Sequence, residues 1–298
     1  MKQGFSSKPR YTFGILTTVA KDIFRSRYHA GLLSGIFRRL GTLGHELKVF
    51  TLPARPYRSL DGILLEHDLD ALMILTWRWI HPEIARLIET TRHDRVLVFN
   101  DPLPGLRVHQ VYTDIAAGMA QAVGYLAKKK YRTIGMLHGP KDVTFKEDGK
   151  IRKLPFIDTC LKENAFATAL KTKKIPVKRT WIRAGEANSE AEGYRLMKRW
   201  LREKKLPRAI VCGNDDLAFG AIKAIQGAGL DCPADIAVTG FDDNEQAKSF
   251  TVPLTTVRQP LARMGADAVD ILLAGLAGSS ACPVRKSYPP ELIVRKSA

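Results

Sequence analysis

Short apolar runs alternate with amphipathic stretches along nearly the whole chain. Residues 11–16 predict a strand, and the apolar side chains that follow recur at helical spacing: Tyr28, Leu32, Leu33, Ile36 and Leu40. Gly41 and Gly44 end that helix, and residues 47–52 predict the next strand. This order of strand and helix is typical of parallel sheets that carry helices on both faces.

The same order continues to the end of the sequence. Further strands are predicted at residues 71–75, 96–99, 133–138, 180–183, 208–212, 236–239 and 291–295. Further helices are predicted from Pro82 onward and at residues 116–129, 154–164, 189–203, 215–228 and 261–274. One compact sheet cannot hold so many units, so we expect two α/β lobes. The charged, glycine-containing stretch 141–153 predicts a mobile loop over the ligand site.

Length and composition describe a globular chain of more than one domain. Its 298 residues are 45% hydrophobic and 26% charged, which suffices for a sizeable core. It has no apolar run of ~18 residues, and its basic, polar beginning does not resemble a secretory signal. We therefore expect no membrane association and a cytoplasmic location. The four cysteines are too scattered to predict a metal site or a disulfide framework.

The formal net charge is +17. A charge of this size attracts polyanions and fits a protein that works beside DNA. A solvated, lysine-rich surface is the more ordinary explanation. The densest basic groups, residues 128–130 and 171–174, contain no interleaved aromatic residues that could stack on single strands.

Motifs of catalysis are missing from the sequence. It contains no Gly-x-Ser-x-Gly elbow, no phosphate-binding Gly-x-x-x-x-Gly-Lys loop and no His-Glu-x-x-His. Asp242 and Asp243 form a pair of carboxylates after a strand, but a catalytic dyad would need a further acid or a metal beside them. We therefore expect no enzyme, no catalytic residue and no cofactor.

Polar and aromatic residues begin within two positions after the end of five of the predicted strands. They are Thr17–Thr18, Trp77, Asn100–Asp101, Asn214–Asp215 and Phe241–Asp242. In parallel sheets ligands bind outside the carboxyl ends of the strands, so these side chains are candidates for one binding crevice. Carboxylates and amides suit the hydroxyl pairs of a sugar, and an aromatic face suits its C–H face. Any one of the polar residues could instead cap the helix that follows it.

Several stretches resemble the LacI/GalR family of bacterial transcription repressors. Residues 212–273, which begin CGNDDLAFG and end AVDILL, resemble the signature region of that family, and PPELIVRKS (289–297) resembles its last strand. FGIL with the later YHAGLLSGI (28–36) resembles the start of its effector domain, and YLAKKKYRTIGMLHGP (125–140) its central crossover. The likeness spans nearly the whole chain and is strongest in the last third.

The resemblance implies two Rossmann-like lobes joined by three crossover strands, the type I fold of periplasmic binding proteins. An N-terminal lobe is expected at residues 11–113 and 261–287, and a C-terminal lobe at 114–260 and 288–298. A small effector, which we expect to be a sugar, binds between the lobes in that family. Pairing of the effector cores implies a homodimer.

Site residues carried over from the family are placed one by one. Their positions in this sequence are Thr18, Tyr28, Asn100, Asp114, Arg152, Asn214, Asp242 and Gln259, and Trp77 is added as a stacking residue. Arg152 occupies the first position of an Arg-x-x-Gly-aromatic pattern, in which Pro155 stands in place of the usual glycine.

Residues 1–10 are too few to form a DNA-binding domain, and we expect them to be a linker stub. Operator DNA is therefore expected to bind only through a DNA-binding domain missing from this chain, either removed, which we favour, or natively absent. The chain alone is expected to bind DNA weakly and without sequence preference. The alternative interpretation is the solute-binding protein of a sugar transporter, which would need a signal peptide.

Overall fold

A computed structural model describes residues 9–17, 27–51, 59–75, 88, 93–99, 105–147, 150–279 and 283–298. The chain divides into two compact units: unit 1 comprises Met1–Tyr112 and Leu261–Ser287, and unit 2 comprises Thr113–Pro260 and Tyr288–Ala298. The backbone passes from one unit to the other three times. Each unit holds its own six-stranded sheet, and the predicted α/β class with mostly parallel sheets is confirmed.

Unit 1 contains a six-stranded sheet with the strand order β13-β5-β4-β3-β1-β2. Its strands are β1 (Thr12–Thr17), β2 (Glu46–Thr51), β3 (Ala71–Ile74), β4 (His93–Phe99), β5 (Val108–Thr113) and β13 (Arg285–Tyr288). Its described helices are α1 (Arg27–Leu43), α2 (Leu60–Glu66) and α8 (Leu261–Leu276). Helix α1 forms where the predicted apolar stripe lies, and it buries Leu32, Ile36 and Leu40. The stripe packs on α8, which the chain adds more than 200 residues later.

Unit 2 is a sheet in the order β14-β12-β11-β10-β6-β9. Its strands are β6 (Ile134–His138), β9 (Ile182–Ala184), β10 (Ala209–Cys212), β11 (Ala237–Asp242), β12 (Thr255–Arg258) and β14 (Glu291–Ile293). Its helices are α3 (Ile115–Lys128), α4 (Ile157–Thr172), α5 (Glu190–Trp200), α6 (Asp215–Gly227) and the short α7 (Gln246–Ser249), with a 3-10 turn at Arg179–Trp181. Strand β14 runs antiparallel to β12, and β9, β6, β10, β11 and β12 pair in parallel.

The core of unit 2 has one apolar layer on each face of its sheet. Met119 of α3 and Phe166 of α4 belong to one cluster of buried side chains. Trp200 of α5 and Phe219 of α6 belong to a second cluster. The helices therefore cover both faces, and the carboxyl ends of β6, β10, β11 and β12 are left to meet at one edge of the sheet. We call this the carboxyl edge of unit 2.

The stretch expected to be a mobile loop has regular structure. Strands β7 (Asp142–Glu147) and β8 (Lys150–Pro155) pair antiparallel, in a register that sets Phe145 opposite Arg152. Helix α4 starts two residues after the hairpin ends, whereas the sequence predicted a helix from residue 154. Pro155 explains the later start, because proline disfavours the helical conformation in the residue before it. The expectation of an irregular loop was wrong.

Candidate functional site

Asp242, the last residue of β11, is the centre of the polar groups at the carboxyl edge of unit 2. Gln259, just after the neighbouring β12, donates from Nε2 to the Asp242 Oδ1 at 2.7 Å. The Thr113 hydroxyl donates to the Gln259 Oε1 at 2.6 Å. The structure thus brings Asp242 and Gln259 of the predicted set together, and Thr113 fixes which way the glutamine amide faces.

A buried cation lies beside this carboxylate. Lys162 of α4 is only 6% exposed, its ammonium is 3.0 Å from the Asp158 Oδ2, and it lies 4.5 Å from the centre of the Phe241 ring. Burial raises the pKa of the Asp242 carboxyl well above its ordinary value, and the nearby charge of Lys162 opposes that rise. The Asp242 and Asp158 carboxyl groups and the Lys162 ammonium therefore lie in the same part of the edge. A ligand that donates hydrogen bonds to Asp242 would stabilise its charged form.

Lys162 was missed by the sequence analysis, although a signal for it exists. Arg152 was chosen from an Arg-x-x-Gly-aromatic pattern in which Pro155 replaces the glycine. A looser form of that pattern, with lysine and alanine in place of arginine and glycine, recurs ten residues later as Lys162-x-x-Ala165-Phe166. Phe166 is buried in the core of unit 2, which fixes the face that Lys162 presents. Arg152 lies on β8 of the hairpin, and its role as a ligand residue stays a prediction.

Asn214 and Asp114 both cap helices. The Asn214 Oδ1 accepts from the Leu217 amide at 2.9 Å and starts α6 at the carboxyl end of β10. The Asp114 Oδ1 accepts from the Ala117 amide at 2.9 Å and starts α3. Capping uses one side-chain oxygen in each case. The part that either residue takes in ligand binding stays a prediction.

Four of the predicted site residues belong to unit 1. Tyr28 lies in the first turn of α1, partly buried, with its ring edge-on to that of His29 at 5.7 Å between centroids. Thr18, Trp77 and Asn100 lie outside the described residues.

A fully buried acid supports the turn that carries Asp242. Asp215 is 0% exposed; its Oδ1 accepts from the Thr256 hydroxyl at 2.5 Å and its Oδ2 from the Asn244 amide at 2.8 Å. Burial raises the pKa of Asp215 to about 6. The Asp215 carboxylate fits against Gly240 of β11 because a Cβ at position 240 would collide with the carboxylate. Asp215 therefore ties α6 to β12 and to the residues after β11.

The turn after β11 has an unusual backbone. Asp242 has φ +127° and Asp243 has φ +53°, a region that residues other than glycine rarely adopt. Asp243 accepts from Arg258 Nε and from Arg295 Nη2, each at 2.6 Å, and these ion pairs hold the turn in place. Such strain persists only where the surroundings enforce it, and it is concentrated at functional sites. This backbone conformation orients the Asp242 side chain toward Gln259.

His138 ends β6 at the same edge. Its Nδ1 donates to the Gly139 carbonyl at 2.8 Å, and its Nε2 lies 3.1 Å from the Glu163 Oε2, which also pairs with Lys141 at 2.6 Å. Burial lowers the pKa of His138. Among the described residues no group of three or more His, Cys, Asp or Glu side chains could hold a metal ion, and no helix is long and apolar enough to cross a membrane. The edge is equipped to bind a polar molecule.

Comparisons with known proteins agree with this architecture. The family model described as a periplasmic binding protein-like domain matches residues 123–298, which is more than half of the chain. The HTH-type transcriptional repressor PurR of Proteus mirabilis is 34% identical over 173 residues, which cover 58% of this chain and 47% of the relative. The chain spans between about half and two thirds of the length of the first curated relatives it matches.

Two solved structures have the same fold. The Lac repressor dimer bound to operator and the anti-inducer ONPF has a TM-score of 0.78 at 22% identity, covering 98% of this chain and 95% of that one. The transcriptional regulator CelR in complex with cellobiose has a TM-score of 0.77 at 21% identity, covering 99% and 86%. Because that family model matches more than half of the chain, the chain belongs to the periplasmic binding protein-like family.

Proposed function

We propose that this chain senses a small polyhydroxylated ligand, a sugar, which binds at the carboxyl edge of unit 2. The observation that carries the proposal is the Asp242 carboxylate, oriented by Gln259 and set beside the buried Lys162. A carboxylate can accept from two adjacent hydroxyls, and its charge strengthens both hydrogen bonds. The cellobiose complex of CelR supports a sugar as the ligand class.

Each polar group of the site has a counterpart in a sugar. The Lys162 ammonium donates, the Asp242 carboxylate accepts, and the Gln259 amide does both. A bound sugar loses water from its hydroxyls, so each hydroxyl must find a partner or lose ~1–3 kcal/mol. Asn214, Asp114, Arg152 and Tyr28, with Thr18, Trp77 and Asn100, complete the proposed set of ligand residues.

The regulatory output is also a proposal. We infer that ligand binding controls a DNA-binding domain that recognises operator DNA, that the protein works as a homodimer in the cytoplasm, and that it catalyses no reaction. The PurR relative is an HTH-type repressor, and the Lac repressor structure contains a dimer on its operator. These relatives favour a regulator over the transport protein that the sequence left open.

The test begins with a thermal-shift screen of sugars, cellobiose among them, and of nucleobases, followed by calorimetry on any compound that raises the melting temperature. Asp242→Ala should weaken its binding by about ten- to several-hundred-fold, since losing a hydrogen bond to a charged group costs ~1.5–3 kcal/mol. Lys162→Ala should have an effect of similar size.

Ser189→Ala is the matched control for stability. Its hydroxyl caps α5 by accepting from the Glu192 amide, so its loss should lower the melting temperature while affinity stays unchanged. If Asp242→Ala behaves like this control, with full affinity for the identified compound, Asp242 does not belong to the site.

A further inference from the structure

Unit 1 carries a groove of about 420 Å³ between α1 and α8. Three arginines line it: Arg38 and Arg39 from α1, and Arg263 from α8. The floor consists of small residues, Gly35 from α1 with Ala262 and Ala266 from α8. No carboxylate is among the described lining residues. The groove is thus a concave surface with guanidinium groups from both of its walls.

The groove exists because the two helices approach each other closely. A Cβ at Gly35 would collide with the Ala262 carbonyl, and a Cβ at Gly265 would collide with the Leu32 carbonyl. Backbone contact at these two glycines lets Arg38 and Arg39, about one turn after Gly35, and Arg263, two residues before Gly265, stand on either side of the contact. The arginines therefore border a floor that is built from rigid helix backbone rather than from a loop.

The three arginines differ in how they meet the nearby acids. Asp270 receives Arg39 through both Nε and Nη2, at 2.8 and 2.7 Å, and this holds the Arg39 guanidinium in place. Asp267 lies 3.9 Å from Arg263 and 2.6 Å from Lys286. Among the described residues Arg38 meets no carboxylate; its guanidinium contacts the Ser34 hydroxyl at 3.4 Å.

From this geometry we propose that the groove binds a phosphate monoester. A phosphate offers three acceptor oxygens in a tetrahedral array, and planar guanidinium groups recognise such oxygens with paired hydrogen bonds. The volume is in the range of small-molecule sites, ~300–1,000 Å³, so a phosphorylated metabolite fits it better than a bare ion. This site lies in unit 1 and is separate from the edge of unit 2 that carries Asp242.

The experiment titrates the full chain with glycerol 3-phosphate, with glycerol and with inorganic phosphate, by calorimetry and by phosphorus NMR. We expect saturable binding of the ester and none of glycerol. Arg38→Ala should weaken the binding of the ester by about tenfold or more. Arg202→Ala removes an exposed arginine of unit 2 and should leave it unchanged.

A second variant keeps the arginines and alters the floor. Ala266→Glu sets a carboxylate into the groove and should abolish binding, while the partly exposed position lets α8 fold. Inorganic phosphate that binds with the same dependence on Arg38 would identify the free ion as sufficient, and binding of the ester alone would identify a phosphorylated metabolite. Either result supports the site.

Three results would overturn it: no saturable binding of either anion, equal losses in Arg38→Ala and Arg202→Ala, or full binding to Ala266→Glu. Equal losses would mean that the general positive charge attracts the anion. Asp242→Ala should leave anion binding intact. The sugar proposal and the anion proposal can therefore fail independently of each other.

Discussion

Asp215 follows a strand, which is the position expected of a ligand residue, but its side chain is buried and has a structural role. The sequence placed Asn214 and Asp215 together at the end of a strand, with capping as the alternative for each. In the structure Asn214 caps α6, and Asp215 points into the protein toward Thr256 and Asn244. The two side chains differ in direction because the first precedes the helix and the second belongs to its first turn.

The raised pKa of Asp215 predicts a pH dependence of stability. Its folded-state pKa of about 6 lies above the ordinary 3.8, so the folded chain holds this proton more tightly than the unfolded chain. The stabilisation is complete below about pH 4 and is lost as the pH rises through about 6. Asp215→Asn cannot ionise, and its amide can still serve both partners. Relative to the wild type, the variant should gain about 3 kcal/mol in unfolding free energy between those two pH values.

Urea unfolding at several pH values measures this difference. Asp68→Asn is the control, because the Asp68 side chain is fully exposed and should show no such gain. A constant difference between Asp215→Asn and the wild type over the whole pH range would contradict the role of burial.

Asp242 was located by its place after a predicted strand, Gln259 only by the family resemblance, and Lys162 by neither. The strand–helix order marks the binding edge at Asp242, whereas the strand before Gln259 was not predicted. Lys162 stands in the middle of a helix, and its burial depends on Phe166 and on the sheet beneath it. A lysine in a helix ordinarily faces solvent, so only the tertiary packing distinguishes this one.

At the scale of elements, the packing of α1 on α8 depends on glycine. Gly265→Ala should destabilise unit 1 by about 1–3 kcal/mol, because the added carbon meets the Leu32 carbonyl and lies 3.1 Å from the Ile36 amide nitrogen. Denaturant unfolding measures the change. The cost arises from backbone, which cannot move aside as a side chain can.

Gly41 gives a control of opposite sign on the same helix. It lies in α1, and a Cβ there has nothing within 4 Å. Gly41→Ala should therefore stabilise the protein by about 0.5–1 kcal/mol through its better helix propensity. Two changes of the same sign would show that close approach at Gly265 does not limit the packing.

Most long elements were predictable, and several short strands were not. The stripe from Tyr28 to Leu40 predicted α1 to within three residues at its end, since five apolar positions fix its period. Strands β12 and β13 were missed because each has only four residues, TTVR and RKSY, and neither shows a clear alternation. The hairpin β7–β8 was missed because its charged, glycine-containing sequence lacks the apolar face that usually marks a strand.

For the whole molecule we predict a homodimer. Light scattering at micromolar concentration should give twice the chain mass of 33.2 kDa near physiological ionic strength. The charge of +17 on each chain opposes association, so the dimer should weaken as salt is lowered. A mass of one chain at every salt concentration would contradict the prediction. Fold class could be predicted at this scale because strand–helix alternation is a property of the entire sequence.

The three passages between the units have a consequence for synthesis on the ribosome. Helix α1 is complete by residue 43, but α8, which covers its apolar stripe, begins at Leu261. At ~5–20 residues per second, the nascent chain needs on the order of ten seconds or more to reach that point. Unit 1 cannot complete its fold until residues 261–287 have left the exit tunnel, and unit 2 lacks β14 until residue 293 has done so. The apolar stripe of α1 therefore stays without its native packing partner throughout that interval.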